Sequence, residues 1–236
     1  MSRPAVFLDR DGTIIEEKGF LNDPNGVEIL PTVVDALRLL RERGFATVVV
    51  SNQSGVARGY FDDDAVRAVN DEIARRLAND GVAIDAWYWC SHYDEDCECR
   101  KPAPGMIRRA VEEHGLTLDG GAMVGDRGSD VALGHAVGIP GILLPCADPY
   151  DGPEPDFRAA TLLDAAEWVV RRRTLREAQG DTGAHGDTGA HGDTGVQRDA
   201  GAHSDTGAQR DACAPGDVAG DGVADGDTVT RGSGHG

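Results

Sequence analysis

Two carboxylates, Asp9 and Asp11, stand two residues apart directly after an apolar segment near the start of the chain. The segment at residues 5–8 reads AVFL, and the DRDGT stretch at residues 9–13 follows it. Taken alone, this pattern is as typical of a turn or a helix cap as of a reactive site. A third carboxylate, Asp126, follows a further apolar segment. Three converging carboxylates repel one another, so the pattern predicts a divalent cation, and an all-oxygen ligand set favours Mg²⁺.

A cluster of hydroxyl and amide side chains follows a second apolar segment. The stretch ATVVV at residues 46–50 leads into SNQS at residues 51–54, whose donors suit phosphate oxygens. The alternative for Ser51 is a helix or turn cap. Lysine occurs only at Lys18 and Lys101, while arginine supplies every other side-chain cation. A lysine retained at position 101 indicates a role for a compact ammonium, although an ordinary surface cation is the alternative.

Three thiols and one imidazole are crowded into ten residues in the middle of the chain. They are Cys90, His92, Cys97 and Cys99. This set predicts a closed tetrahedral zinc site, which is structural because it leaves no position open. Thiolate is a poor ligand for Mg²⁺, so the two metals are expected to be distinct. We expect zinc to fold the loop at residues 90–101 and to present Arg100 and Lys101; reduced thiols without metal are the alternative.

Apolar β-type segments alternate with helical patterns along the first three quarters of the chain. This order predicts an α/β fold, a Rossmann-like three-layer sandwich with a mostly parallel central sheet. Ligands of such sheets bind beyond the carboxyl ends of the strands, where the reactive residues above are found. The predicted strands are 5–8, 46–50, 86–89, 122–124 and 141–144. The predicted helices are 32–43, 62–79, 106–114, a short one after the GDRGSD turn, and 161–176.

The last quarter of the chain has a different composition from the rest. From Gly180 a repeat of about six residues, such as GDTGAH, contains almost no large apolar side chains. Such a segment cannot bury enough surface to offset the entropy lost on ordering. We therefore predict one domain at residues 1–178, which includes the zinc loop, and a disordered acidic tail at residues 179–236.

The charge of the chain and its lack of targeting patterns bear on whether it binds nucleic acid or membranes. The formal net charge is -18, and the chain without its tail still carries 31 acidic against 20 basic residues. This balance argues against nucleic-acid binding. No signal peptide or membrane-length apolar segment is recognisable, so we expect a cytoplasmic monomer that does not bind membranes.

In combination, the DRDGT stretch, Ser51, Lys101 and the GDRGSD turn resemble the four motifs of the haloacid dehalogenase superfamily of phosphatases, in the same order. The resemblance implies that Asp9 is the nucleophile, which forms an aspartyl-phosphate, and that Asp11 is the general acid and then the base. It implies further that Asp9, the Asp11 carbonyl and Asp126 hold Mg²⁺. Ser51 and Lys101 would stabilise the phosphoryl group.

Within the superfamily, the zinc loop followed by CRKP and the stretch SNQSGVARGYF resemble a group that acts on heptose bisphosphates and on histidinol phosphate. A small phosphorylated sugar, in particular heptose 1,7-bisphosphate cleaved at its 7-phosphate, is the expected substrate. The alternatives are histidinol phosphate, another sugar phosphate, or a non-catalytic binding module. The short zinc loop and Arg127, where the heptose enzymes often have Lys, favour the histidinol type. The predicted substrate-binding residues are Glu17, Lys18, Gly19, Phe20, Asn52, Gln53, Ser54, Arg100 and Arg127.

Overall fold

A computed structural model describes residues 2–93, 96–146 and 148–180. These residues fold into one six-stranded sheet with helices on both faces. All strand pairings are parallel, and the strand order is β3-β2-β1-β4-β5-β6. The strands are β1 Arg3–Leu8, β2 Ala46–Asn52, β3 Ala86–Cys90, β4 Leu116–Gly125, β5 Gly141–Leu143 and β6 Phe157–Arg158. The helices are α1 Val33–Glu42, α2 Asp63–Asn79, α3 Gly105–His114, α4 Gly128–Ala136 and α5 Leu162–Gly180.

Alternating strand residues face two separate apolar layers. In β1, Val6 and Leu8 belong to the layer that contains α1, α2 and α5, whereas Ala5 and Phe7 belong to the layer that contains α3 and α4. Both faces of this strand are buried, which explains why its sequence is continuously apolar rather than alternating. The predicted three-layer α/β sandwich is confirmed.

Three elements differ from the sequence prediction. β4 begins at Leu116 rather than at residue 122, and its pairing with β1 shifts register between Pro4 and Val6. Next to this shift Gly121 approaches β1 closely: a Cβ there would lie 2.2 Å from the Ala5 carbonyl oxygen. β6 contains only two residues, too few for a recognisable pattern. α5 continues to Gly180, with an Arg173–Glu177 ion pair one turn apart in its exposed part.

The predicted tail at residues 179–236 lies outside the described residues from position 181 onward, so its disorder stays a prediction. Among the described residues, no helix is both long and apolar enough to cross a membrane. The predicted division into a domain and a tail also stays a prediction.

The polar residues singled out above follow the carboxyl ends of central strands. Asp9 comes one residue after β1, Asp126 one residue after β4, and Ser51 is the penultimate residue of β2. Cys90 is the last residue of β3, which pairs with the end of β2. Because the strands are parallel, all four residues lie at the side of the sheet where the carboxyl ends of the strands meet.

Candidate active site

Three carboxylates meet at the ends of β1 and β4. Asp9, Asp126 and Asp130 each offer an oxygen, and the three oxygens lie within 4.8 Å of one another. The Lys101 ammonium lies among them, with Nζ 2.8 Å from Asp9 Oδ1 and 2.7 Å from Asp130 Oδ1. Asp130 was not among the predicted site residues. Its signal is the second aspartate of the GDRGSD turn, which lies in the first turn of α4 and accepts from the Arg127 backbone N–H at 3.0 Å.

Burial and mutual repulsion destabilise the charged form of these carboxylates. Burial, with further contributions from Asp130 and Asp11 and against the effect of Lys101, raises the pKa of Asp9 to about 7. Burial and the nearby Asp9 charge raise the pKa of Asp126 to about 6. Burial opposes the charge on Lys101, but the two carboxylates outweigh it and raise the pKa of the ammonium. The pocket therefore holds more negative than positive charge.

An oxygen of Asp126 indicates how that imbalance is relieved. Asp126 Oδ1 is buried and has no hydrogen-bond partner among the described residues. An unpartnered buried carboxylate oxygen is costly, and a hard divalent cation satisfies it. With only oxygen donors in the group, the residues fit Mg²⁺ better than a softer metal.

The Asp11 side chain lies apart from this three-carboxylate group. Its Oδ2 accepts from Arg10 Nε at 3.0 Å and from Gln53 Nε2 at 2.9 Å, and its Oδ1 accepts from Arg10 Nη2 at 3.2 Å. Gln53 Nε2 also donates to Ser51 Oγ at 2.8 Å. The Asp11 carboxylate is thus bonded outside the three-carboxylate group, and the role of the Asp11 carbonyl as a metal ligand stays a prediction. Gln53 also links the Asp11 carboxylate to the end of β2.

Asn52 holds the segment that carries Lys101. Its Oδ1 accepts from the Lys101 backbone N–H at 2.9 Å, and its Nδ2 donates to the Lys101 carbonyl at 3.2 Å. The sequence predicted a substrate contact for this residue. In the structure both polar atoms of its side chain bond a backbone 49 residues away in sequence, and its contact with substrate stays a prediction.

The four predicted zinc ligands come together in the loop after β3. The Sγ atoms of Cys90 and Cys97 are 3.7 Å apart, as are those of Cys97 and Cys99, and Cys90 and Cys99 are 3.1 Å apart. His92 Nδ1 lies 3.5 Å from Cys90 Sγ and 3.3 Å from Cys99 Sγ. Tetrahedral zinc with bonds of about 2.3 Å needs sulfur separations of about 3.8 Å. The donor set and the two 3.7 Å separations fit zinc, the Cys90–Cys99 separation is shorter, and these thiols form no disulfide.

A cleft of about 340 Å³ opens beside the Asp11 carboxylate. Seven of the nine predicted substrate-binding residues line it, together with three others. The lining residues are Arg10, Asp11, Glu17, Gly19, Phe20, Leu21, Asn52, Gln53, Ser54 and Arg127. Phe20 is 47% exposed there and stacks edge-to-face on Tyr60. An aromatic ring next to polar donors suits a ligand with both apolar and polar faces.

Two predicted substrate-binding residues do not line this cleft. The Lys18 ammonium bonds Glu28 at 2.5 Å and the Gly26 carbonyl at 3.0 Å, so local acceptors hold it elsewhere. Arg100 Nη1 donates to the His92 carbonyl at 3.0 Å, which places the guanidinium on the zinc loop. The substrate contacts of both residues stay predictions, because a sequence does not show which local acceptor binds a long cationic side chain.

The comparisons with known proteins agree with this geometry. A family model described as HAD-hydrolase-like matches residues 98–148. The D-glycero-beta-D-manno-heptose-1,7-bisphosphate 7-phosphatase of Yersinia pestis is 39% identical over 58% of this chain and 78% of its own length. The Escherichia coli K12 protein of the same name is 34% identical over 72% and 89%.

Solved structures show the same relationship. The D,D-heptose 1.7-bisphosphate phosphatase from B. bronchiseptica, complexed with magnesium and phosphate, is 31% identical with a TM-score of 0.64. The match covers 72% of this chain and 99% of that one. A putative HAD-like phosphatase from Mesorhizobium loti is 32% identical, also with a TM-score of 0.64, over 74% and 88%. The chain belongs to the haloacid dehalogenase-like phosphatases, which are phosphoric monoester hydrolases.

Proposed function

We propose that this chain removes the 7-phosphate of D-glycero-D-manno-heptose 1,7-bisphosphate through an aspartyl-phosphate on Asp9. The observation that carries the proposal is the buried Asp9 carboxylate, 2.8 Å from the Lys101 ammonium and grouped with two further carboxylates. The names of the relatives support the choice of sugar. The alternative substrate, histidinol phosphate, has no such support among these relatives.

The reaction consists of two displacements at phosphorus. In the first, an Asp9 oxygen bonds to phosphorus while the ester P–O bond breaks, and Asp11 gives its proton to the departing sugar oxygen. In the second, Asp11 takes a proton from water, whose oxygen bonds to phosphorus as the Asp9–phosphorus bond breaks. One carboxyl thus serves as acid and then as base, as two consecutive half-reactions require.

Positive charge and hydrogen bonds position the phosphoryl group. Lys101 and Ser51 are proposed to contact its oxygens, because both are buried at the same sheet edge as Asp9. Magnesium would be held by Asp9, the Asp11 carbonyl and Asp126, and would supply charge that offsets the negative phosphoryl oxygens.

The zinc ion is proposed to be structural, held by the four ligands of the 90–101 loop. A backbone N–H supports this role, because Arg100 N donates to Cys97 Sγ at 3.3 Å. Hydrogen bonding from Cys99, against the effect of burial and aided by His92 and Cys97, lowers the pKa of the Cys90 thiol to about 5. The thiolate is the form that binds zinc. Metal analysis of the purified protein should find one zinc per chain.

Substrate selection is assigned to the cleft beside Asp11. Arg127 Nη2 lies 3.8 Å from Glu17 Oε2 across it, and Arg127 also pairs with Asp148. We propose that Glu17, Gly19 and Phe20 contact the sugar and that Arg127 contacts its distal end. Arg100, on the zinc loop, is not assigned to this cleft. We propose further that the protein acts in the cytoplasm as a monomer on a small molecule rather than on nucleic acid.

The experiment is a comparison of kcat/KM on heptose 1,7-bisphosphate, histidinol phosphate and simple sugar phosphates, with and without magnesium. We expect the heptose bisphosphate to be preferred and turnover to require magnesium. The Asp9→Asn variant should lose turnover on every substrate. Full magnesium-dependent turnover by Asp9→Asn would refute the nucleophile assignment, and a preference for histidinol phosphate would refute the sugar.

A further inference from the structure

Arg10 is a buried cation between the two acidic residues of the DRDGT stretch. It is 1% exposed, and its guanidinium uses all three nitrogens in contacts to two side chains. Nε and Nη2 donate to the two oxygens of Asp11, at 3.0 and 3.2 Å. Nη1 donates to Asn70 Oδ1 at 3.0 Å. A charged group in this position is tolerated only when such bonds satisfy it.

Asn70 is a polar exception on the buried face of α2. The helix buries Val66, Val69 and Ile73 on this face, and Asn70 is itself only 3% exposed. The contact to Arg10 spans 60 residues of sequence and connects α2 to the loop after β1. An apolar residue would fill this space without a desolvation cost. The presence of a polar amide at this buried position is therefore explained by its hydrogen bond with the Arg10 guanidinium.

The guanidinium fork restricts how the Asp11 carboxylate can turn. Arg10 is planar and contacts both carboxylate oxygens, so it defines the plane of the group as well as its position. Gln53 adds a third hydrogen bond, at 2.9 Å to Oδ2. The Asp11 side chain lines the cleft together with Arg10 and Gln53, so the groups that hold it belong to the same cleft wall.

We propose that Arg10 and Asn70 are positioning residues for proton transfer by Asp11. Asn70 fixes the guanidinium from α2, and the guanidinium aims the Asp11 carboxyl at the departing oxygen. The inference rests on the proposed function, because it assumes that Asp11 is the general acid. Asn70 is not among the residues that line the cleft, and both residues are proposed to act through Asp11 rather than on the phosphoryl group.

The leaving group provides a readout that a purely structural role would not change. A sugar alkoxide needs a proton to depart, whereas p-nitrophenolate is stable enough to leave without one. A general acid contributes about 10²–10⁴-fold to a step that needs the proton. A misaligned Asp11 therefore slows hydrolysis of a sugar phosphate and spares that of p-nitrophenyl phosphate.

The test measures kcat/KM of the full chain on heptose 1,7-bisphosphate and on p-nitrophenyl phosphate. Asn70→Leu removes the acceptor at similar volume and should lose about tenfold on the sugar phosphate but less than about threefold on the aryl phosphate. Asn70→Asp keeps an acceptor and should recover most of the loss. Val69→Ala is the matched control, since it weakens packing of the same helix and should leave the ratio of the two rates unchanged.

Arg10→Lys provides a second variant that keeps the charge but loses the planar fork, and it should show the same selective loss. Equal losses on both substrates, or no loss in a folded Asn70→Leu protein, would overturn the positioning role. Asp11→Asn separates this outcome from a failure of the proposed function. If Asp11→Asn kept turnover of the sugar phosphate, the general-acid assignment itself would fail, whatever the Asn70 variants do.

Discussion

At the scale of single residues, the site is a problem of charge balance. Asp9, Asp126 and Asp130 share a buried pocket with one ammonium, that of Lys101. A lone ammonium cannot neutralise three carboxylates, and burial together with the remaining repulsion raises the pKa values of Asp9 and Asp126. The same imbalance that destabilises the pocket without a cation makes it a binding site for one.

The burial of Asp126 and its repulsion by Asp9 predict a pH-dependent gain in stability when Asp126 is neutralised. Its folded pKa of about 6 lies above the ordinary value of about 3.9, so the cost of its charge grows as pH rises from 4 and is complete above 6. In magnesium-free buffer, the free energy of unfolding of Asp126→Asn should exceed that of the wild type by about 1 kcal/mol more at pH 7.5 than at pH 5. Thermal or urea unfolding of both proteins at the two pH values measures this difference.

The exposed Asp71→Asn change is the control and should show no such pH dependence. Magnesium should stabilise the wild type and reduce the advantage of the Asp126→Asn variant. An advantage of the same size at both pH values would contradict the burial argument.

A second prediction at this scale concerns Asn52. Removing its amide in Asn52→Leu frees the Lys101 backbone, and misplacement of the ammonium should lower kcat about 10- to 100-fold with a smaller change in KM. Asn79→Leu, at an exposed position at the end of α2, should leave both constants unchanged. Steady-state kinetics measures both variants. Unchanged kcat in a folded Asn52→Leu protein would show that Lys101 does not depend on this clamp.

At the scale of elements, two loops support each other beside the sheet. After β2, the Gln53 N–H donates to the Cys90 carbonyl at 2.7 Å, and the Ala57 N–H donates to the Ser91 carbonyl at 3.2 Å. Ser91 Oγ and Trp89 Nε1 both donate to Asp63 at the start of α2. The zinc loop is thus bonded to the segment that carries the phosphate-type donors, so a zinc ion held by this loop would also stabilise that segment.

The loop after β1 gives the third prediction, at Gly12. This residue has φ +75°, and a Cβ there would lie 2.4 Å from Asp126 Oδ2. Gly12→Ala should displace Asp126 and reduce turnover at least about 100-fold, because the site needs its carboxylates in place. Gly44→Ala is the matched control: it has φ +77° but no atom within 4 Å of its Cβ.

The positive φ strains both variants by about 1 kcal/mol, and Gly12→Ala adds the contact with Asp126, so its unfolding temperature should fall at least as much as that of Gly44→Ala. Only Gly12→Ala should lose activity and magnesium binding, measured by kinetics and calorimetry. Equal activity of the two variants would contradict the close approach of Gly12 to Asp126.

At the scale of the whole molecule, features that depend on local sequence patterns could be predicted, whereas contacts between residues far apart in sequence could not. The central strands were recognisable because both faces of the sheet are covered, which makes their sequences continuously apolar. The meeting of Asp9, Ser51 and Asp126 followed from parallel strand order. The clamp of Asn52 on Lys101 and the contact of Asn70 with Arg10 were missed, since they join residues 49 and 60 positions apart that carry no shared pattern.

The tail gives the fourth prediction. Because its composition cannot support a core, truncation after Gln179 should leave kcat and KM within about twofold of the full chain. Kinetics of the two forms under identical conditions measures this, and the unfolding temperature serves as a check that the domain is intact. A large loss of turnover with an unchanged unfolding temperature would show that the tail takes part in the reaction.

The central claim is that phosphorus bonds covalently to Asp9 before water releases it. The most direct measurement is the steric course with a thiophosphate monoester made chiral by two oxygen isotopes and hydrolysed in water of the third. Two in-line displacements each invert the configuration, so the account predicts net retention at phosphorus. Net inversion would mean a single attack by water and would contradict it.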